Sequence, residues 1–296
     1  MRAMFTIRAA DWLAPLVRRL VVEAPRVAAK HQPGHFVIIR ATADGERIPL
    51  TIADSSRDAG TITLVVQNAG ATTERICALA PGDALCDVVG PLGKPTEIEK
   101  FGHVVLVGGG VGTAVIYPQA AALKGLGNRV TAIVGGRSRP YVILEEELGR
   151  WCDSVLPCTD DGSHGFHGFV TDRLTQLLES EPVNAVITAG PVPMMKAVAA
   201  VTRSREIHTI ASLNPVMVDG TGMCGGCRVT VNGEARFACV DGPEFDAHAV
   251  AFDELWDRLG AYKKQELRAR ERLAQDAEHQ CRLERVHAPF ANRETK

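Results

Sequence analysis

Val107-Gly108-Gly109-Gly110-Val111-Gly112-Thr113-Ala114 stands where an apolar run ends and a helical pattern begins. Glycines at such a junction allow a tight turn and let a phosphate approach backbone N–H groups at the helix N-terminus. The match to G-x-G-x-x-G/A, through Gly108, Gly110 and the position of Thr113, is loose, and tight strand–helix packing explains the same glycines equally simply. No acidic residue closes the second strand, where Val134-Gly135-Gly136-Arg137 stands instead. The strand–loop–helix context favours a nucleotide-binding turn.

Downstream, short apolar runs at 103–107, 129–134, 154–156, 185–188 and 208–212 alternate with helical stretches at 114–126, 145–151, 169–178 and 192–202. That alternation predicts a parallel sheet with helices on both faces. Upstream the pattern differs. Runs rich in Val, Ile and Thr at 16–22, 35–41, 48–53, 61–67 and 84–89 are parted by Pro33-Gly34, Asp44-Gly45 and Pro81-Gly82-Asp83. They predict a small antiparallel barrel, interrupted by a short helix after Thr72 and Thr73. The boundary falls in the linker 93–102, which carries Pro95 and mixed charge.

Beyond the second domain, residues 214–243 are rich in Gly and Cys, with no period that predicts a core of their own. They contain Asp219-x4-Cys224-x2-Cys227-x11-Cys239. Plant-type 2Fe–2S proteins use C-x4-C-x2-C with a distant fourth Cys, and here Asp occupies the first position. Gly220, Gly222, Gly225 and Gly226 would let backbone N–H groups turn toward bridging sulfides. A structural zinc site is the alternative, because three thiolates and one further ligand suit zinc too. Cys77, Cys86, Cys152 and Cys158 are scattered and read as small hydrophobes, and Cys281 reads as a surface thiol. From Phe252 to Leu273 the spacing of Phe252, Leu255, Trp256, Leu259 and Tyr262 predicts a helix. Its apolar edge is expected to serve a partner, with packing on its own chain as the alternative.

At 296 residues the chain has room for two domains and a small third. A formal net charge of −2 gives no electrostatic case for nucleic acid or an anionic membrane. No apolar run approaches the roughly 18–20 residues of a membrane span, and the N-terminus lacks a signal-peptide core. A cytoplasmic location is expected.

Taken together, these motifs resemble the ferredoxin–NADP reductase superfamily. Leu213 to Arg228 (LNPVMVDGTGMCGGCR) and Phe237 to Phe245 (FACVDGPEF) sharpen that resemblance. They are similar to the small subunits of NADH-dependent reduced ferredoxin:NADP oxidoreductases, called sulfide dehydrogenases in some naming, and to dihydroorotate dehydrogenase electron-transfer subunits. The resemblance implies a flavin-binding β-barrel (1–98), a parallel-sheet NAD(P)-binding α/β domain (99–212), a small 2Fe–2S segment (213–247) and a C-terminal helical tail (248–296). It implies that Arg47, Pro49, Leu50 and Thr51 hold FAD, with Arg47 on phosphate and Thr51 at the flavin N5 edge in the catalytic role. Val65, Val66 and Gln67 would line the flavin, and Gly70, Thr72 and Thr73 its pyrophosphate. Gly109, Gly110, Val111, Gly112, Thr113, Asp160, Asp161, Gly190 and Pro191 would contact the nicotinamide nucleotide. Asp219, Cys224, Cys227 and Cys239 would ligate the cluster, and Asp219, where dihydroorotate-type subunits carry Cys, points to the ferredoxin:NADP group. NAD(H) is implied, while Arg137 and Arg139 leave NADP(H) open. The implied partner is a large flavin and 4Fe–4S subunit in a heterodimer or higher complex, with ferredoxin reached indirectly. A dihydroorotate dehydrogenase electron-transfer subunit and a zinc-stabilised nucleotide-binding regulatory subunit are the alternatives.

Overall fold

Alternation of buried and half-buried residues shapes the first sheet. A computed structural model of the chain describes residues 5–287, with side chains to residue 275. Cys281 lies beyond the described side chains. Strands β1 (Phe5–Ala14), β2 (Val17–Glu23), β3 (Phe36–Arg40), β4 (Ile48–Ser56), β5 (Thr61–Gln67), β6 (Ala84–Leu85) and β7 (Asp87–Leu92) pair antiparallel in the order β6-β1-β2-β5-β4-β3-β7. β4 changes partner midway: Ile48–Thr51 pair with β3 and Ile52–Ser56 with β5. This curls the sheet into a nearly closed barrel around Leu20, Val22, Ile52, Ile62, Leu64 and Val66. Helix α1 (Pro25–Ala28) follows β2, and α2 (Ala71–Ala78) follows β5.

After residues 93–102, which carry no regular structure, the periodicity changes as the sequence predicts. Strands β8 (His103–Gly109), β9 (Arg129–Gly136), β10 (Ser154–Thr159), β11 (Phe166–His167), β12 (Ala185–Ala189) and β13 (His208–Ser212) pair in parallel, in the order β11-β10-β9-β8-β12-β13. Every residue of β8 and β12 is buried, as expected for central strands covered on both faces. Helices α3 (Thr113–Gly125), α4 (Glu145–Leu148), α5 (Val170–Ser180) and α6 (Val192–Arg203) supply the cover. The strand order reverses at β8, whose neighbours are β9 and β12, so a crevice opens beyond the carboxyl ends of these strands.

The remaining chain is more integrated than its composition suggests. β14 (Arg228–Val231) and β15 (Glu234–Phe237) form a hairpin through Asn232-Gly233, both at positive φ, the pairing a tight primed turn requires. β16 (Glu244–Asp246) adds antiparallel to β13 and so extends the nucleotide-domain sheet. Met217, Cys227, Val229, Ala238 and Cys239 are buried, with Phe36 and Ile38 of the barrel on one side and Met195 and Ala199 of α6 on another. The segment therefore has a core, contrary to expectation. Its apolar residues show no period because much of their cover comes from the barrel and from α6.

The C-terminal helix begins as α7 (Phe252–Leu259) and, after a 3-10 turn at Gly260–Tyr262, continues as α8 (Lys263–His287). Phe252 and Leu255 are buried in the cluster-segment core, so that part of the apolar edge packs on its own chain. Trp256 and Tyr262 remain exposed.

Candidate functional site

An open cleft of about 820 Å³ lies between the barrel and the nucleotide domain. Its barrel wall is Pro49, Leu50 and Thr51 of β4 with Val65 and Gln67 of β5. Val65 and Gln67 point into the cleft because they alternate with Val66, which is fully buried in the barrel core. The Val66 side chain, expected at the flavin, therefore does not reach it. The opposite wall is Gly109, Gly110, Val111 and Gly112, joined by Asp160, Gly190 and Pro191 at the ends of β10 and β12. The third wall was not anticipated. Leu213, Asn214, Met217 and Pro243 of the cluster segment face the same space.

The glycine loop satisfies both readings of its sequence. A Cβ on Gly112 would lie 2.1 Å from the Ala189 carbonyl oxygen, so close packing requires that glycine. Gly110 has φ +54° and no atom near a built Cβ, so it leaves open space facing the cleft. Gly70, at the N-cap of α2, likewise has nothing near a built Cβ. Both positions stand at the start of a helix with open space beside the backbone, which leaves room for a phosphate at the N–H groups there.

Several expected contacts are placed differently. Thr113 is buried beneath the loop and does not line the cleft. Thr73 Oγ1 accepts from the Ala69 and Gly70 N–H groups, each at 2.9 Å, and so organises the start of α2. Thr72 donates to Glu46. Asp161 accepts from Ser163 N and Oγ, which hold its carboxyl below the usual range, while Asp160 lines the cleft. Arg47 donates through Nε to the Val218 carbonyl at 2.7 Å and through Nη2 to the Asp219 carbonyl at 3.5 Å. Its guanidinium carries five N–H donors, so others remain for a phosphate.

The sequence reading also missed cleft residues. Phe36, Tyr141, Phe169 and Met194 line it, and the Arg137 guanidinium stacks over Tyr141 at 4.8 Å. Position at the carboxyl ends of strands was the available signal for Tyr141 and Met194, since each lies a few residues past a strand end.

The four candidate cluster ligands lie on one loop and the end of the hairpin. Cys239 N–H donates to Cys227 Sγ at 3.4 Å, and both residues are buried, whereas Cys224 is exposed. Burial, then the neighbouring Cys227 sulfur, pushes the Cys239 thiol up to about 12. Asp219 Oδ1 accepts from Thr221 N and Oγ1, and Oδ2 accepts from Cys224 N at 2.7 Å. Its carboxyl is held below the usual range by these bonds. Among the described residues no group of three or more His, Cys, Asp or Glu stands in metal-holding geometry. The donor set nevertheless suits a thiolate-bound metal, iron or zinc alike. Two adjacent buried sulfurs, a third on the exposed side of the loop and a carboxylate with an acceptor position left over make a mixed sulfur and oxygen set of the size a metal centre needs.

Known proteins resemble the chain in both regions. Residues 214–251 match the iron–sulfur cluster binding domain of dihydroorotate dehydrogenase B. The dihydroorotate dehydrogenase B (NAD(+)) electron transfer subunit homolog of Thermotoga maritima is 47% identical over 256 residues, 86% of this chain and 90% of that one. The corresponding electron transfer subunit of Shouchella clausii is 37% identical, over 78% of this chain and 91% of its own. A solved chain from the NADH-dependent reduced ferredoxin-NADP oxidoreductase, described for flavin-based electron bifurcation, superposes with a TM-score of 0.88 at 44% identity. That superposition covers 92% of this chain and 98% of that one. Phthalate dioxygenase reductase shares the fold, at a TM-score of 0.56 and 17% identity, over 77% of this chain and 86% of its own.

Proposed function

The chain belongs to the family of dihydroorotate dehydrogenase B electron-transfer subunits and their homologues, and from that premise we propose that it is an FAD- and 2Fe–2S-containing subunit that takes hydride from NADH and passes single electrons to a partner. One observation carries this reading. The same cleft is walled by the barrel, by the glycine loop and by the segment that bears Cys224, Cys227 and Cys239. A hydride donor, a flavin and the edge of a cluster would therefore meet in one shared cleft.

Bound FAD supplies the conversion of a two-electron hydride into single electrons, which a 2Fe–2S cluster accepts one at a time. The chain's own residues hold and orient. Pro49 and Leu50 present apolar surface to a flat ring, and the Thr51 hydroxyl stands beside them as the hydrogen-bond partner for the flavin N5 edge. Gly70 and the first N–H groups of α2 receive the pyrophosphate, with a free Arg47 donor adding charge. Gly110 leaves room for the nucleotide's phosphates, and Gly190 and Pro191 border the nicotinamide. Asp219, Cys224, Cys227 and Cys239 are the cluster ligands.

Asp219 favours the ferredoxin:NADP type of complex over the dihydroorotate type, with a large flavin and 4Fe–4S subunit as partner and ferredoxin reached through it. Among the described residues no helix is long and apolar enough to cross a membrane, and a cytoplasmic location follows from the reducing conditions that free thiolate ligands require. Flavin and metal analysis of anaerobically purified protein tests the assignment. One FAD and two irons per chain are expected; zinc without iron or flavin would overturn it.

A further inference from the structure

The loop that carries Asp219, Cys224 and Cys227 is pinned by cations from two sides. On one side Arg47, just before β4, holds the Val218 and Asp219 carbonyls. On the other, Arg258 of α7 donates through Nη2 to the Gly226 carbonyl at 3.4 Å. Gly226 immediately precedes Cys227, and a Cβ on it would lie 3.6 Å from Cys224 Sγ. Arg258 reaches this carbonyl because Leu255 and Phe252, about one and two turns earlier on α7, are buried against the cluster segment and fix the helix there. Among the described residues, the side-chain hydrogen bond of Arg258 runs to this backbone carbonyl.

We propose that Arg258 is a positioning residue that sets the reduction potential of the iron–sulfur centre. The inference rests on the cluster assignment made above. A cation bonded to the Gly226 carbonyl polarises that peptide unit and strengthens the N–H group of the next residue, Cys227. The charge and the strengthened dipole both stabilise the reduced cluster, which carries one more negative charge than the oxidised form, and so raise its potential. One electron enters the cluster and one leaves for the partner, and Arg258 neither gains nor loses a proton. The C-terminal helix, whose apolar edge is expected from the sequence to serve a partner, thereby also bears on the cluster.

The test is a redox titration of the full cluster-loaded chain, followed by visible absorbance and EPR, for wild type, Arg258→Gln, Arg258→Met and Arg258→Lys. Both neutral variants should show a more negative midpoint, equivalent to a threefold to tenfold lower reduced-to-oxidised ratio, about 30–60 mV for one electron. Arg258→Lys should recover most of that shift. Neutral variants with the wild-type midpoint and g-values would overturn the proposal. So would loss of the cluster from both neutral variants and from Arg258→Lys, which would make Arg258 a structural prop. A wild-type chain without a 2Fe–2S centre would instead refute the cluster assignment itself, and iron analysis reveals that before any variant is made.

Discussion

Two glycine-rich loops in this molecule look alike in sequence and are held by different physics. The nucleotide loop, Gly108 to Gly112, is wedged between buried strands and α3, and Gly112 sits where a Cβ would strike the Ala189 backbone. The cluster loop, Gly220 to Gly226, is packed tightly only over its first half. A Cβ on Gly220 would lie 2.6 Å from Leu92 Cδ1 and one on Gly222 3.2 Å from Val240, whereas on Gly225 and Gly226 the nearest atoms would be 3.8 Å and 3.6 Å away. Side chains hold that loop: Asp219 gathers N–H groups inside it, and Arg47 and Arg258 grip carbonyls outside it. The first loop is preformed by packing. The second is shaped largely by polar contacts, from Asp219 within and from two arginines outside.

The comparison breaks most visibly at Gly112. Gly112→Ala forces a backbone shift where the loop meets the carboxyl end of β12 and should cost about 3 kcal/mol or more. Thermal or urea unfolding checks this. A variant as stable as wild type would mean that the loop is not set by packing.

Arg47→Ala acts on the polar side of the comparison. Losing a charge-assisted contact to FAD should weaken flavin retention by on the order of 1.5–3 kcal/mol, roughly tenfold or more in affinity. Iron content should stay near wild type, with the cluster loop merely loosened. Flavin release on dilution measures the effect, and full occupancy at low concentration would leave Arg47 as a strut between barrel and cluster loop only.

The smallest effect lies at the seam between the two regions. Glu244 on β16 accepts from Thr96 Oγ1 at 2.8 Å and from Gln119 Nε2 of α3 at 2.5 Å, joining linker, nucleotide domain and cluster segment. Burial raises its carboxyl from the ordinary 4.5 to about 7. The folded chain then binds more protons than the unfolded one between these values, so stability falls as pH rises from about 4.5 to about 7 and levels off above. Glu244→Gln keeps the acceptor oxygen without the charge. It should remove this slope and gain on the order of 1–2 kcal/mol at pH 8. Melting curves from pH 5 to 8 that are parallel for the two proteins would show that Glu244 is not the group responsible.

The same contrast explains what the sequence could and could not reveal. Both sheets were legible because β5, β8 and β12 are runs of Val, Ile, Leu and Thr whose burial follows strand geometry. β16 was not, since Glu244-Phe245-Asp246 reads as loop until β13 is present to pair with it. The cluster segment's core escaped notice because Met217, Val229 and Ala238 have no common period and find cover only in the folded chain. Within the candidate site, Pro49 to Thr51 and Gly109 to Gly112 were found by motif. The wall formed by Leu213, Met217 and Pro243, the Arg47 bonds to the cluster loop and the reach of Arg258 depend on contacts across more than thirty residues of chain, which local pattern does not encode.

On the proposed function, one cleft joins nicotinamide, flavin and cluster into a single electron path. Anaerobic addition of NADH to the purified chain, with visible spectra and low-temperature EPR recorded on the same sample, tests it directly. The account predicts bleaching of the flavin bands together with an EPR signal below g = 2 that integrates to about one 2Fe–2S spin per chain. Flavin bleaching with no cluster signal, in protein shown by iron analysis to be loaded and by dithionite to be reducible, would contradict it.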